Sequence, residues 1–178
     1  MGEGPDFPGS TISGRATRRP LLGAVQSLEE VDLMADAISL AKEGVEAFNK
    51  ADWDRTRQLA TPDTVYFEAA TGTRTQDIDA FVEASKAWRS AFPDAKGTVT
   101  SSLASGDTAV IEVTWEGTQN GDLMTPSGDR IPATGKKVTI PAVEIVRTSG
   151  GKIAETRHYF DLMSMMAQLG VMPAGSRA

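Results

Sequence analysis

The chain has no cysteine, a single histidine, and no run of eighteen apolar residues anywhere in its 178 positions. Without thiols there is no disulfide framework, thiolate nucleophile, zinc finger or iron–sulfur site. One histidine also removes most zinc sites, so no metal site is expected. The missing apolar run leaves no helix long enough to span a bilayer, and no membrane partner is expected. Basic residues are thinly spread. Beyond Arg15, Arg18 and Arg19 they form no cluster, and 18 Lys plus Arg against 24 Asp plus Glu leave a net charge of -6. Nucleic-acid binding has no electrostatic footprint here. What is present, 40% hydrophobic residues, suits one soluble domain, which at this length buries about 70% of the surface of its unfolded chain.

Residues 1–27 are rich in Gly, Pro, Ser, Thr and Arg and show neither helical nor strand periodicity, so they are expected to form a flexible arm. Thr17-Arg18-Arg19-Pro20-Leu21-Leu22 shares its paired arginines with export signals, but the apolar stretch ends at Val25. That is too short for a signal core, and a cytoplasmic location is the expectation. The domain itself is expected over 28–173, with a tail at 174–178.

From Ser27, with Glu30 at capping-box spacing, apolar residues recur every three or four positions through Val31, Met34, Ile38, Ala41, Val45 and Phe48. This spacing predicts a long first helix. A short helix follows over Trp53 to Leu59 with Asp52 as its cap, then a Thr61-Pro62-Asp63 turn and a short strand from Val65 to Glu68. Ile78, Phe81, Val82, Ser85 and Trp88 mark one face of a helix over Asp77 to Phe92, which Pro93 stops. Strands are predicted near 97–105, 108–119, 136–148 and 152–160, and a last helix from Leu162 to Leu169 between an Asp161 cap and Gly170. Helices followed by an antiparallel meander define an α+β domain whose curved sheet closes over the helices and encloses a cavity. The glycines at Gly72 and Gly135 lack phosphate-loop or dinucleotide spacing and mark turns.

Chemistry then depends on polar groups that face inward. In the last strand Ala154, Thr156, His158 and Phe160 share the small or apolar face, and in the strand before it Glu144 interrupts the row Val138, Ile140, Ala142 and Val146. A hairpin centred on Gly151 places Glu144 opposite His158, where cross-strand side chains meet at roughly 5 Å. A carboxylate bonded to one ring nitrogen fixes the tautomer and raises the basicity of the other, which suits His158 as a general base oriented by Glu144. Alternation also turns Trp115 and Gln119 inward, Gln119 as a donor to a substrate carbonyl. Trp53, Tyr66, Trp88, Phe92, Met124 and Met163, with Met166 and Met172, are candidates to line a flat apolar pocket.

Phe92-Pro93-Asp94, the segment Trp115-Glu116-Gly117-Thr118-Gln119-Asn120-Gly121, and Gly151-Lys152-Ile153 through Arg157-His158-Tyr159-Phe160-Asp161 to Gln168-Leu169-Gly170 together carry a likeness. Over residues 29 to 172 the chain resembles the SnoaL-like polyketide cyclases of the nuclear transport factor 2-like superfamily. The resemblance implies a cone-shaped α+β barrel and, as activity, intramolecular aldol ring closure without metal or cofactor. It also implies a small hydrophobic substrate, aromatic polyketides among the candidates, and a homodimer through the outer face of the sheet, where Glu155, Arg157 and Tyr159 stand in a row. Limonene-epoxide hydrolases and ketosteroid isomerases share the scaffold.

The departures from the family pattern fall at the candidate site. The cyclases' acid/base Asp, three residues before the Asp that opens the last helix, is His158 here, and the position often held by His three residues before Arg147 is Glu144. Carboxylate and imidazole are thus exchanged between strands. The His of the Gly-Thr-His-Thr-Gly segment is Gln119, and the Arg and Asp of the epoxide hydrolases are Val113 and Trp115, so water activation by their triad is not expected. The leading expectation is a cofactor-free enzyme that abstracts a proton next to a carbonyl. Isomerase or hydrolase chemistry on the same scaffold is one alternative. The other, a non-catalytic ligand-binding or dimerisation module, predicts a Glu144 turned to solvent or a cavity filled by methionines.

Overall fold

The computed structural model describes residues 28–125 and 128–172. The arm expected over 1–27, the Ser27 cap and the tail lie outside these residues. Three helices come first: α1 (Leu28–Asn49), α2 (Trp53–Leu59) and, after strands β1 (Ala60–Glu68) and β2 (Thr73–Thr75), α3 (Ile78–Ala91). The sheet follows with β3 (Lys96–Ser105), β4 (Thr108–Thr118), the two-residue strands β5 (Leu123–Met124) and β6 (Arg130–Ile131), β7 (Lys137–Ser149) and β8 (Lys152–Phe160), then helix α4 (Leu162–Leu169). The main sheet runs β2-β1-β8-β7-β4-β3, and only the β1–β8 pair is parallel. The result is the α+β cone, a mixed curved sheet wrapped over helices.

Local chemistry sets the ends of the helices. Asp52, Asp77 and Asp161 each accept a hydrogen bond from the backbone N–H three residues on, at 2.9, 2.7 and 3.0 Å. A side-chain cap of this kind contributes about 1 kcal/mol. Gly170, at φ 72°, closes α4 in the left-handed conformation that glycine adopts without strain. Asn49, at the end of α1, grips the start of β3 twice, donating to Gly97 O at 2.8 Å and accepting from Gly97 N–H at 2.7 Å.

Two apolar clusters hold the layers together. Ala37, Ala41 and Val45 of α1 pack on Ala109, Ile111 and Val113 of β4, while Ala91, Phe92 and Ala95 meet Val138, Ile140, Met165 and Leu169. The small residues on α1 let the helix approach the sheet closely.

Two expectations are corrected. Thr61-Pro62-Asp63 is not a turn; it lies inside β1, where the register against β8 slips between Ala60 and Val65. Pro62, which has no N–H, is accommodated because that stretch forms no ladder with β8. In β8, Ile153 rather than Ala154 reaches inward, because a bulge separates the pairs Arg147↔Glu155 and Thr148↔Ile153. Strands β2, β5 and β6 had no sequence signal, being two or three residues long.

Candidate active site

The helices and the concave side of the sheet enclose a cavity of about 650 Å³, within the usual range for small-molecule sites. Its wall is mainly apolar: Phe48 from α1, Phe81 and Trp88 from α3, Trp115 from β4, Phe160 from β8 and Met165 from α4. Trp115 meets Phe48 edge-on at 5.1 Å, and Trp88 stacks on Phe92 at 4.7 Å. The wall carries three carboxyl side chains, Glu68, Asp122 and Glu144, and no Lys or Arg among the described residues lines it.

Glu144 and His158 are directly paired across β7 and β8, as the alternation requires. The route to that register differs from the simple hairpin. A two-residue Gly150-Gly151 turn, both glycines at positive φ, pairs Ser149 with Lys152, and the bulge then adds the one-residue offset that brings 144 opposite 158. Both side chains line the cavity.

The pair is not joined by the hydrogen bond that the sequence suggested. His158 Nδ1 lies 2.9 Å from the Tyr66 hydroxyl, and that hydroxyl lies 3.2 Å from Glu68 Oε2. Thr71 donates to the other Glu68 oxygen at 2.7 Å. Glu68, as a carboxylate, can only accept, and the phenol has one proton to give. Only one polarity satisfies both contacts: Nδ1–H donates to Tyr66, and Tyr66 donates to Glu68. That leaves Nε2 as the unprotonated nitrogen, buried and without a hydrogen-bond partner among the described residues.

Burial sets the ionisation of all three groups. It pushes the Glu144 carboxyl up to about 7 and the His158 imidazole down to about 4. Tyr66 is raised well above the ordinary phenol value, first by burial and then by the carboxylates of Glu68 and Glu144. Near pH 7 the imidazole is neutral, the phenol keeps its proton, and Glu144 exchanges its proton readily. Glu144 makes no hydrogen bond and no ion pair with another described residue, so its carboxyl is free to meet a ligand.

The remaining candidates divide. Tyr66, Trp88, Trp115, Phe160 and, at the exposed rim, Met124 line the cavity, as does Met166. Phe92 does not; it is 1% exposed and packs behind Trp88 in the core. Trp53 rests on the edge of Phe48 away from the wall. Met163 turns outward because the inner face of α4 is taken by Leu162, Met165 and Met166, and Met172 is likewise exposed and off the wall. Gln119 is fully buried but reaches the loop beyond β4, not the cavity. Glu68 and Thr71 were overlooked. Alternation along the predicted strand already put Glu68 on the face of Tyr66, but the parallel β1–β8 pairing that brings Glu68 beside His158 joins segments ninety residues apart and leaves no local trace.

The model of the SnoaL-like polyketide cyclases matches residues 39–169. The chain belongs to that family. Comparison with curated proteins gives no match. Among solved structures, a candidate SnoaL-like polyketide cyclase from Jannaschia sp. CCS1 superposes with a TM-score of 0.70 at 19% identity, covering 79% of this chain and 96% of that one. IdmH of Streptomyces antibioticus, a candidate polyketide cyclase, is 27% identical with a TM-score of 0.65, covering 76% of this chain and 99% of its own. AclR of Streptomyces galilaeus, a candidate hydroxylase, is also 27% identical, with a TM-score of 0.66 and coverage of 79% and 88%. None of the helices among the described residues is long and apolar enough to cross a membrane.

Proposed function

We propose that this member of the SnoaL-like family removes a proton next to a carbonyl of a hydrophobic, polycyclic, polyketide-like substrate and closes a ring by intramolecular aldol addition, with no cofactor. The observation that carries this reading is Glu144, a carboxyl with no partner among the described residues, on the wall of a mainly apolar cavity and with its pKa raised to about 7. A base works best when its pKa lies near the working pH, and Glu144 meets that condition where His158, at about 4, does not. The base assignment therefore moves from His158 to Glu144.

The step balances within the substrate. Glu144 as carboxylate takes the proton from carbon, the resulting enolate attacks a second carbonyl carbon, and the Glu144 carboxylic acid returns the proton to the new alkoxide. No atom or electron enters or leaves. His158 acts by staying neutral. An imidazolium facing Glu144 would pull its pKa back down and weaken the base; burial keeps the ring neutral, and the Tyr66–Glu68 chain fixes its one proton on Nδ1. Trp88, Trp115 and Phe160 supply flat surfaces for fused rings. The proposal includes a homodimer through the outer face of the sheet, where Tyr159 is 40% exposed; a monomeric mass by light scattering would remove it.

Hydrogen–deuterium exchange at the α-carbon of a panel of anthraquinone-type β-ketones tests the reading, since it detects proton abstraction even where no ring closes. Glu144→Gln should reduce that exchange at least a hundredfold. Exchange at the wild-type rate in Glu144→Gln would sink the assignment, and ligands that bind without exchange would favour a binding module.

A further inference from the structure

Gln119 stands just past the end of β4, is completely buried, and spends its whole amide on one loop. Its Nε2 faces the carbonyls of Gly121, Ile131 and Pro132, each at 3.3 Å, and its Oε1 accepts from the Thr134 hydroxyl at 2.8 Å. Its backbone is used in the same way: N–H donates to Lys136 O and C=O accepts from Gly135 N–H, both at 2.9 Å. One residue thus ties the start and the end of the connection from β4 to β7.

The tied loop is also fixed to the rest of the fold. Asn120 and Gly121 both donate to Ala91 O at 3.0 Å, and a Cβ on Gly121 would lie 2.2 Å from Ser90 O. The loop therefore sits hard against the end of α3. From it Leu123, Met124 and Ile131 project onto the cavity, Leu123 and Ile131 being paired across β5 and β6.

We propose that Gln119 is a positioning residue that determines ligand fit, its buried amide holding the β4–β7 connection in the shape that makes it one wall of the cavity. This deepens the reading of the cavity as a ligand site and rests on it. The place needs a donor and an acceptor together: Leu has no donor for the three carbonyls, and a carboxylate at the same place sets acceptor against acceptor.

The test uses the full chain, with 1-hydroxyanthraquinone as the probe and quenching of tryptophan fluorescence as the signal, alongside backbone amide exchange. In Gln119→Leu, amides at 120–125 and 128–135 should exchange at least tenfold faster relative to β7, and probe affinity should fall at least fivefold. Gln119→Glu should behave alike at pH 8 and recover at pH 5, where the protonated acid regains a donor, each value being taken against the wild type at the same pH. Unchanged exchange in the loop overturns the proposal. So does faster exchange with full probe affinity, or a Gln119→Glu chain indifferent to pH. If Gln119→Leu does not fold, the acid recovery of Gln119→Glu decides alone. Neither readout needs turnover. A chain that binds the probe but never exchanges a substrate proton would sink the cyclase reading and leave this one intact.

Discussion

Tyr66 holds His158 through a 2.9 Å hydrogen bond to Nδ1 and passes the polarity on to Glu68 at 3.2 Å. The imidazole is therefore locked in one tautomer by a group 92 residues earlier in the chain. Tyr66→Phe keeps the ring that packs on Phe81 at 5.0 Å but removes the oxygen. Because the chain has a single histidine, its two ring nitrogens give one unambiguous set of ¹⁵N resonances. The wild type should show the proton on Nδ1, and Tyr66→Phe a mixture of tautomers with α-carbon exchange slowed about tenfold to a hundredfold. A wild-type spectrum with the proton on Nε2 would refute the chain.

Glu144 and His158 also leave a signature in stability against pH. The folded pKa of Glu144 is raised from 4.5 to about 7, so its contribution is fully present below pH 4.5 and is lost as pH rises through 7. His158 is lowered from 6.5 to about 4. Its neutral form is favoured by the fold, so stability drops as pH falls from 6.5 through 4. Each shift is worth about 3 kcal/mol. Between pH 4.5 and 6.5 the two slopes oppose and nearly cancel. Urea unfolding should therefore be almost flat there in the wild type, rise with pH in Glu144→Gln, and fall with pH in His158→Gln. Parallel curves for all three proteins would show that neither group is buried as described.

The facing of Glu144 and His158 was legible in the sequence because strand alternation and a glycine turn are local signals, and both residues stood out as ionisable members of apolar rows. The helices, their Asp caps and the four long strands were legible for the same reason. What escaped was long-range. The hydrogen-bond partner of His158 is Tyr66 rather than Glu144 because β1 enters the sheet in parallel beside β8, a pairing that no turn announces. Helical periodicity does not show that Phe92 and Trp53 lie off the wall, because it finds a buried face without saying whether the face meets a cavity or a neighbouring layer. Gln119 lay on the inner face by alternation, but β4 ends at Thr118, and the rule ends with the strand.

The charge of the wall sets a preference among ligands. Glu68, Asp122 and Glu144 line the cavity, and among the described residues no Lys or Arg does. An anionic ligand would be desolvated beside carboxylates with no counter-charge to meet it. A neutral ketone or ester should thus bind at least tenfold more tightly at pH 8 than the matching free acid, and calorimetric titration of such a pair measures the difference. The gap should narrow toward pH 5, as Glu144 becomes protonated and the ligand acid nears its own neutral form. Tighter binding of the free acid at pH 8 would mean that a cation reaches the cavity from elsewhere.

Gly97 offers the most direct control over the shape of the site. A Cβ there would lie 2.8 Å from two ring carbons of Trp115 and 2.9 Å from Val45 Cγ1. The backbone cannot retreat, because Asn49 clamps both its N–H and its C=O. In Gly97→Ala the indole must yield, and the side open to it is the cavity that it lines. Overpacking of this kind costs about 1–3 kcal/mol. Gly97→Ala should accordingly lower the melting temperature and weaken binding of fused-ring ligands more than of small cyclic ketones. The smaller ring of Trp115→Phe should relieve the clash, so the double variant should be more stable than the sum of the two single changes predicts. Strict additivity in that cycle would show that Gly97 and Trp115 do not constrain one another, and the cavity wall would then owe its position to Phe48 and α1 instead.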